Sequence, residues 1–114
     1  MTGFINSAAT VRYIHKLPNP KITILPMGHE GKESSLEDDI CAEYIKNLIR
    51  GEKKKVSNLA LKLKKDSGKY FFSEDQWQYP KEDFDRCLEI DSFNFAIIAK
   101  VAEEDEYAIL TRLD

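Results

Sequence analysis

Three acids in succession, Glu37, Asp38 and Asp39, follow a loop from Met27 to Ser34 in which Gly28 and Gly31 enclose His29 and Glu30. Mg2+ asks a protein for one or two carboxylates, keeps several waters and bridges to phosphate oxygens, so Glu37 and Asp38 make a candidate site for that ion. Glu30, with His29, stands where a general acid or base could act on a ligand at the end of a strand. An exposed turn is the competing account, because Gly28 and Gly31 are ordinary turn residues. Ser34 and Ser35 place hydroxyls and backbone N–H groups at a helix start, where anions bind together with the N–H groups of a glycine loop.

The elements around this run decide what the acids can do. From Leu36 to Arg50 the residues Leu36, Ile40, Cys41, Tyr44, Ile45, Leu48 and Ile49 recur at helical spacing, and Gly51 closes the helix. At about 100° per residue the apolar stripe centres near Tyr44 and Leu48, and Glu37 falls close to its middle. Asp38 lies on the flank and Asp39 points to water. A carboxylate on the core side of a helix is expensive unless a cation, an arginine or backbone N–H groups bind it. The competing account is a capping box, Ser34 with Glu37 or Ser35 with Asp38.

Elsewhere the pattern predicts a helix from Ser7 to Lys16 with Asn6 as N-cap, stopped by Leu17-Pro18-Asn19-Pro20. Lys21 to Pro26 reads as a short strand feeding the glycine loop. A lysine-flanked helix covers about Lys54 to Asp66, Tyr70 to Trp77 is an aromatic edge strand or docking loop, and Pro80 opens a short helix. Phe95 to Val101 and Tyr107 to Leu113 form a hairpin across Glu103-Glu104-Asp105-Glu106. His15 reads as a helix-end residue.

The composition bounds the rest. With 114 residues and 42% hydrophobic residues the chain suits one domain, 1–114, in the globular range. Seventeen basic against twenty acidic residues give a net charge of −3, which leaves no basic field for nucleic acid. Cys41 and Cys87 have no CxxC or zinc spacing and read as small buried thiols of a reducing, cytoplasmic protein. No apolar run approaches the length of a membrane span. Phe71, Phe72, Trp77 and Tyr79 are acid-flanked, which suits core or interface better than base stacking.

Several segments resemble the ComB family, the 2-phosphosulfolactate phosphatases. They are Gly3-Phe4-Ile5-Asn6, Ile24-Leu25-Pro26-Met27-Gly28, Leu36-Glu37-Asp38-Asp39-Ile40-Cys41-Ala42, and Asp83-Phe84-Asp85-Arg86-Cys87-Leu88 with Asp91-Ser92-Phe93-Asn94-Phe95-Ala96. Their order and approximate spacing agree with the family over nearly the whole chain. The family's chains are roughly twice this length, and these segments look like their C-terminal half.

The resemblance implies a small mixed sheet with packed helices, part of a layered α/β/α fold. It also implies Mg2+-dependent hydrolysis of 2-phosphosulfolactate or a similar small phosphate ester, on the way to coenzyme M. Glu37 and Asp38 become the residues for Mg2+ or phosphate, with Asn6 as a polar partner. Where a Gly-Glu-Arg-like run is expected, this chain reads Gly28-His29-Glu30-Gly31, without the arginine. A missing N-terminal half would leave apolar surface uncovered around Phe71, Phe72 and Trp77, which favours self-association or a completing chain. The alternative is a non-catalytic module that binds an anion or a partner.

Overall fold

The computed structural model describes residues 1–52, 59–65, 69, 72, 74, 77, 80–101, 104 and 107–114. A single 3₁₀ turn, Phe4–Asn6, leads into α1, Ser7–His15; α2 is Leu36–Ile49, α3 Leu59–Lys64 and α4 Lys81–Cys87, followed by β1, Ala96–Val101, and β2, Ala108–Leu113. This is the small α/β fold expected from the sequence. Its described sheet is an antiparallel hairpin in the register Ala96↔Leu113 to Val101↔Ala108.

The core forms where apolar positions of separate elements converge. Phe4, Leu63 and Phe84 are buried together, and Ile40, Cys41, Tyr44, Phe72 and Leu88 pack around them. Phe72 meets Phe84 edge-on at 5.0 Å between centroids, a favourable geometry for two ring quadrupoles. Phe72 is therefore part of the core, while Trp77 is exposed. Phe71, Tyr79 and the N-terminal part of the helix expected from Lys54 lie outside the described residues. Leu63 is buried to 2% on α3, with Lys62, Lys64 and Lys65 exposed beside it.

The strand expected at Lys21 to Pro26 is absent: these residues form no regular element. Pro20 and Pro26 bring no N–H to a ladder, and no described strand lies alongside to pair with the segment. Ile24 to Met27 instead line a shallow groove against Ala42 and Ile45 of α2.

Around α2, Asp39, Glu43 and Lys46 face solvent, whereas Glu37 and Asp38 are half-buried, as the helical periodicity requires. The deepest apolar side chain is Ile45 rather than Leu48, which is half-buried. His15, at the end of α1, brings Nε2 within 3.2 Å of the Ile49 carbonyl oxygen, a helix-end role.

Long-range bonds lock α1 to the chain before the hairpin. Asp91, held at φ +55°, accepts from the Ala8 N–H through Oδ1 at 2.7 Å and from the Tyr44 hydroxyl through Oδ2 at 3.2 Å. Arg12 donates to Asn94 Oδ1. Asn6, expected to cap α1, makes no cap bond. Its Oδ1 accepts from the Gly3 N–H at 3.0 Å, and its Nδ2 donates to the Phe95 carbonyl at 3.4 Å.

Candidate functional site

The N-terminal turn of α2 opens onto a cleft of about 280 Å³ whose walls include Glu37, Asp38 and Cys41 of α2 and Cys87 of α4. Phe4, Leu63 and Phe84 form its apolar floor, so the cleft sits directly on the core. Glu37 and Cys41, four residues apart on one helix, reach the same wall. The spacing placed Cys41 on the apolar face, and only the tertiary structure sets it in one cleft with Cys87.

Neither capping box forms. Ser35 occupies the N-cap position without a side-chain bond, and its Oγ is buried with no partner. Ser34 is exposed. The Asp38 carboxylate instead reaches back to the loop, where Oδ2 accepts from the Gly28 N–H at 2.7 Å. The peptide N–H that a phosphate-cradling loop would offer at Gly28 is thus committed to Asp38.

The loop itself is a tight turn. The Lys32 N–H donates to the His29 carbonyl at 3.0 Å, and Glu30 (φ +52°) and Gly31 (φ +68°) both adopt the left-handed region, the pattern of a type I′ turn. The His29 N–H donates to the Glu33 carbonyl at 2.8 Å and closes it. His29 and Glu30 are exposed at its tip, and neither lines the cleft. Glu37 and Asp38 are therefore brought together. Glu30, Gly28, Gly31, Ser34, Ser35 and Asn6 stand apart from the cleft lining.

The electrostatics follow from this crowding. Burial, and secondarily the Asp38 carboxylate, push the Cys41 thiol up to about 11. Partial burial raises Cys87 as well, with Asp83 and Glu37 adding to it, although the residue is exposed and not the buried thiol that its sequence context suggested. Both cysteines are free. They are protonated at neutral pH and poor nucleophiles there.

Among the described residues no cluster of three or more His, Cys, Asp or Glu side chains is gathered to hold a metal. Mg2+ asks for less: two adjacent carboxylates and waters satisfy it, and the Gly28 N–H bonds to Oδ2 of Asp38. None of the described lining residues is Lys, Arg or His. The cleft can attract a cation, but its described lining offers a phosphoryl group no positive side chain.

Fold and site together define a small α/β protein whose carboxylate-walled cleft lies at a helix N-terminus. The family model for 2-phosphosulpholactate phosphatase matches residues 1–102, and the chain belongs to this family. No curated protein and no solved structure matches the chain significantly. No helix among the described residues is long and apolar enough to cross a membrane.

Proposed function

We propose that this chain supplies the metal-holding wall of a phosphatase site acting on 2-phosphosulfolactate or a closely related phosphate ester, a step toward coenzyme M. Glu37 and Asp38 hold Mg2+. The observation that carries this reading is that these two successive residues both line one cleft, while Asp39 faces water. Bound there, Mg2+ would neutralise phosphoryl charge and orient the ester. Asp38 does double duty, holding the Gly28 loop with one oxygen and leaving the other toward the cation. The apolar floor of Phe4, Leu63 and Phe84 limits water.

A second reading rests on the absence of Lys, Arg and His from the described lining: the chain by itself is a non-catalytic module completed by another polypeptide. Losing one donor to transition-state charge costs about 100-fold to 1,000-fold in rate, so phosphate release by this chain alone should be near background. Thermal melting with and without millimolar Mg2+ tests the metal wall, because an ion bound only by the folded state raises the midpoint. The rise should vanish in Glu37→Gln. An equal response of wild type and variant would remove Glu37 from the site. Rapid phosphate release by the chain alone, abolished by Glu37→Gln, would show that it is a complete enzyme.

A further inference from the structure

Arg12 and Lys16 stand one turn apart on α1, and both line a small cavity away from the acidic cleft. Ala96 and Leu113, paired at one end of the hairpin, line it too, and Tyr13, Asn94 and Asp114 supply its other polar side chains. It shares no lining residue with the cleft at α2. Its volume of about 60 Å³ is several times the about 10–15 Å³ that one water needs and far below the about 300–1,000 Å³ of a site for a drug-sized ligand. The space therefore suits one small ion.

The charge and the hydrogen-bonding groups in this cavity are one-sided. Like charges at this helical spacing repel, and among the described residues neither Arg12 nor Lys16 has a carboxylate partner. Asp114, the one acid among the described lining residues, is held by Arg112 at 2.7 Å. Arginine and lysine carry donors and no acceptor. Because a guanidinium cannot accept, Asn94 turns Oδ1 toward Arg12 and keeps both Nδ2 hydrogens for another partner. The dipole of α1 favours cations near its C-terminal end, but it does not call for a further donor from Asn94, 82 residues along the chain.

We propose that this cavity binds a tetrahedral oxyanion, either inorganic phosphate or the phosphoryl group of a small ester, between Arg12, Lys16 and Asn94. Two uncompensated positive charges match an ion that carries about −1.5 to −2 at neutral pH. Donors converging from a helix and from the segment before β1 need an acceptor with oxygens on several sides. Phosphate has them, whereas a carboxylate has only two. The bound ion joins α1 to the start of the hairpin, where Arg12 and Asn94 already meet. This reading concerns a separate site and stands independently of Mg2+ at Glu37 and Asp38.

Two-dimensional amide NMR of the isotopically labelled full chain tests it, with phosphate added in the absence of Mg2+ and ionic strength held constant with chloride. The signals of Tyr13, Lys16 and Asn94 should shift saturably at millimolar phosphate, and sulfate should act likewise. Acetate should bind at least about tenfold more weakly, since it brings one charge and two oxygens. Replacing Arg12→Gln and Lys16→Gln together should weaken phosphate binding at least about tenfold, while Lys46→Gln, an exposed lysine of α2, should leave it unchanged. The dispersion of the spectra shows whether each variant is folded. Glycerol phosphate separates the two sources: tighter binding than free phosphate marks an ester as the ligand, and weaker binding marks the free ion. Shifts that do not saturate, that acetate reproduces with equal affinity, or that survive in the folded double variant overturn the proposal.

Discussion

The Gly28 N–H and the Asp38 carboxylate meet at 2.7 Å, which ties the turn at His29–Glu33 to the first turn of α2. A hydrogen bond to a charged acceptor contributes about 1.5–3 kcal/mol, so Asp38→Ala should lower stability by about that much in urea melts. Asp38→Asn keeps an acceptor and should cost less. If Mg2+ uses the same carboxylate, both variants should also lose the Mg2+-dependent rise in melting midpoint.

The two glycines of the turn are not equivalent. A Cβ on Gly28 would lie 2.0 Å from the Glu33 carbonyl oxygen, whereas one on Gly31 meets nothing within 4 Å. Both have positive φ. Gly31→Ala should cost about 1–2 kcal/mol, the conformational penalty alone. Gly28→Ala should cost clearly more, since backbone must move, and equal losses by denaturant titration would contradict the turn geometry.

Core and surface of α2 should separate cleanly. Ile45→Ala removes a side chain that is 4% exposed and should cost about 2–5 kcal/mol. Asp39→Ala, on the solvent face, should stay within about 0.5 kcal/mol. Comparable effects in urea melts would mean that the helix faces are misassigned.

Asp91 is a keystone that joins α1 to α2. Asp91→Ala loses the acceptors of the Ala8 N–H and the Tyr44 hydroxyl, and should cost about 1–3 kcal/mol. Asp91→Asn keeps an acceptor for Ala8 and tolerates the positive φ, so it should recover part of that loss. Chemical denaturation of the pair decides.

Alkaline pH should destabilise the fold through Cys41. Its folded-state value, about 11, lies above the ordinary 9.0, so the unfolded chain loses its proton first. The contribution is complete below pH 9 and is lost as pH rises toward 11. Cys41→Ala should flatten the fall in melting temperature across that interval. Alkylation near neutrality should reach the exposed Cys87 before the half-buried Cys41.

The helix α1, the apolar period of α2, the hairpin and the half-buried setting of Glu37 and Asp38 beside an exposed Asp39 were legible in the residues alone, because side-chain spacing within one element sets which positions share a face. What lay beyond reach depended on neighbours distant in the chain. A Ser-x-x-Asp pattern, Ser35 with Asp38, offers a local cap, but the Gly28 N–H takes the Asp38 carboxylate, and Ser35 makes no cap bond. Lys21 to Pro26 has strand composition, yet a strand exists only with a partner ladder, and the segment lies on α2 instead. Asn6 has a capping residue's chemistry but spends it on Gly3 and Phe95, while Asp91 serves α1 from the other end of the chain. Cys41 and Cys87 share a cleft because α4 packs there. Periodicity is a property of the sequence; which donor meets which acceptor is settled when the elements dock, since every buried polar group must find its partner in three dimensions.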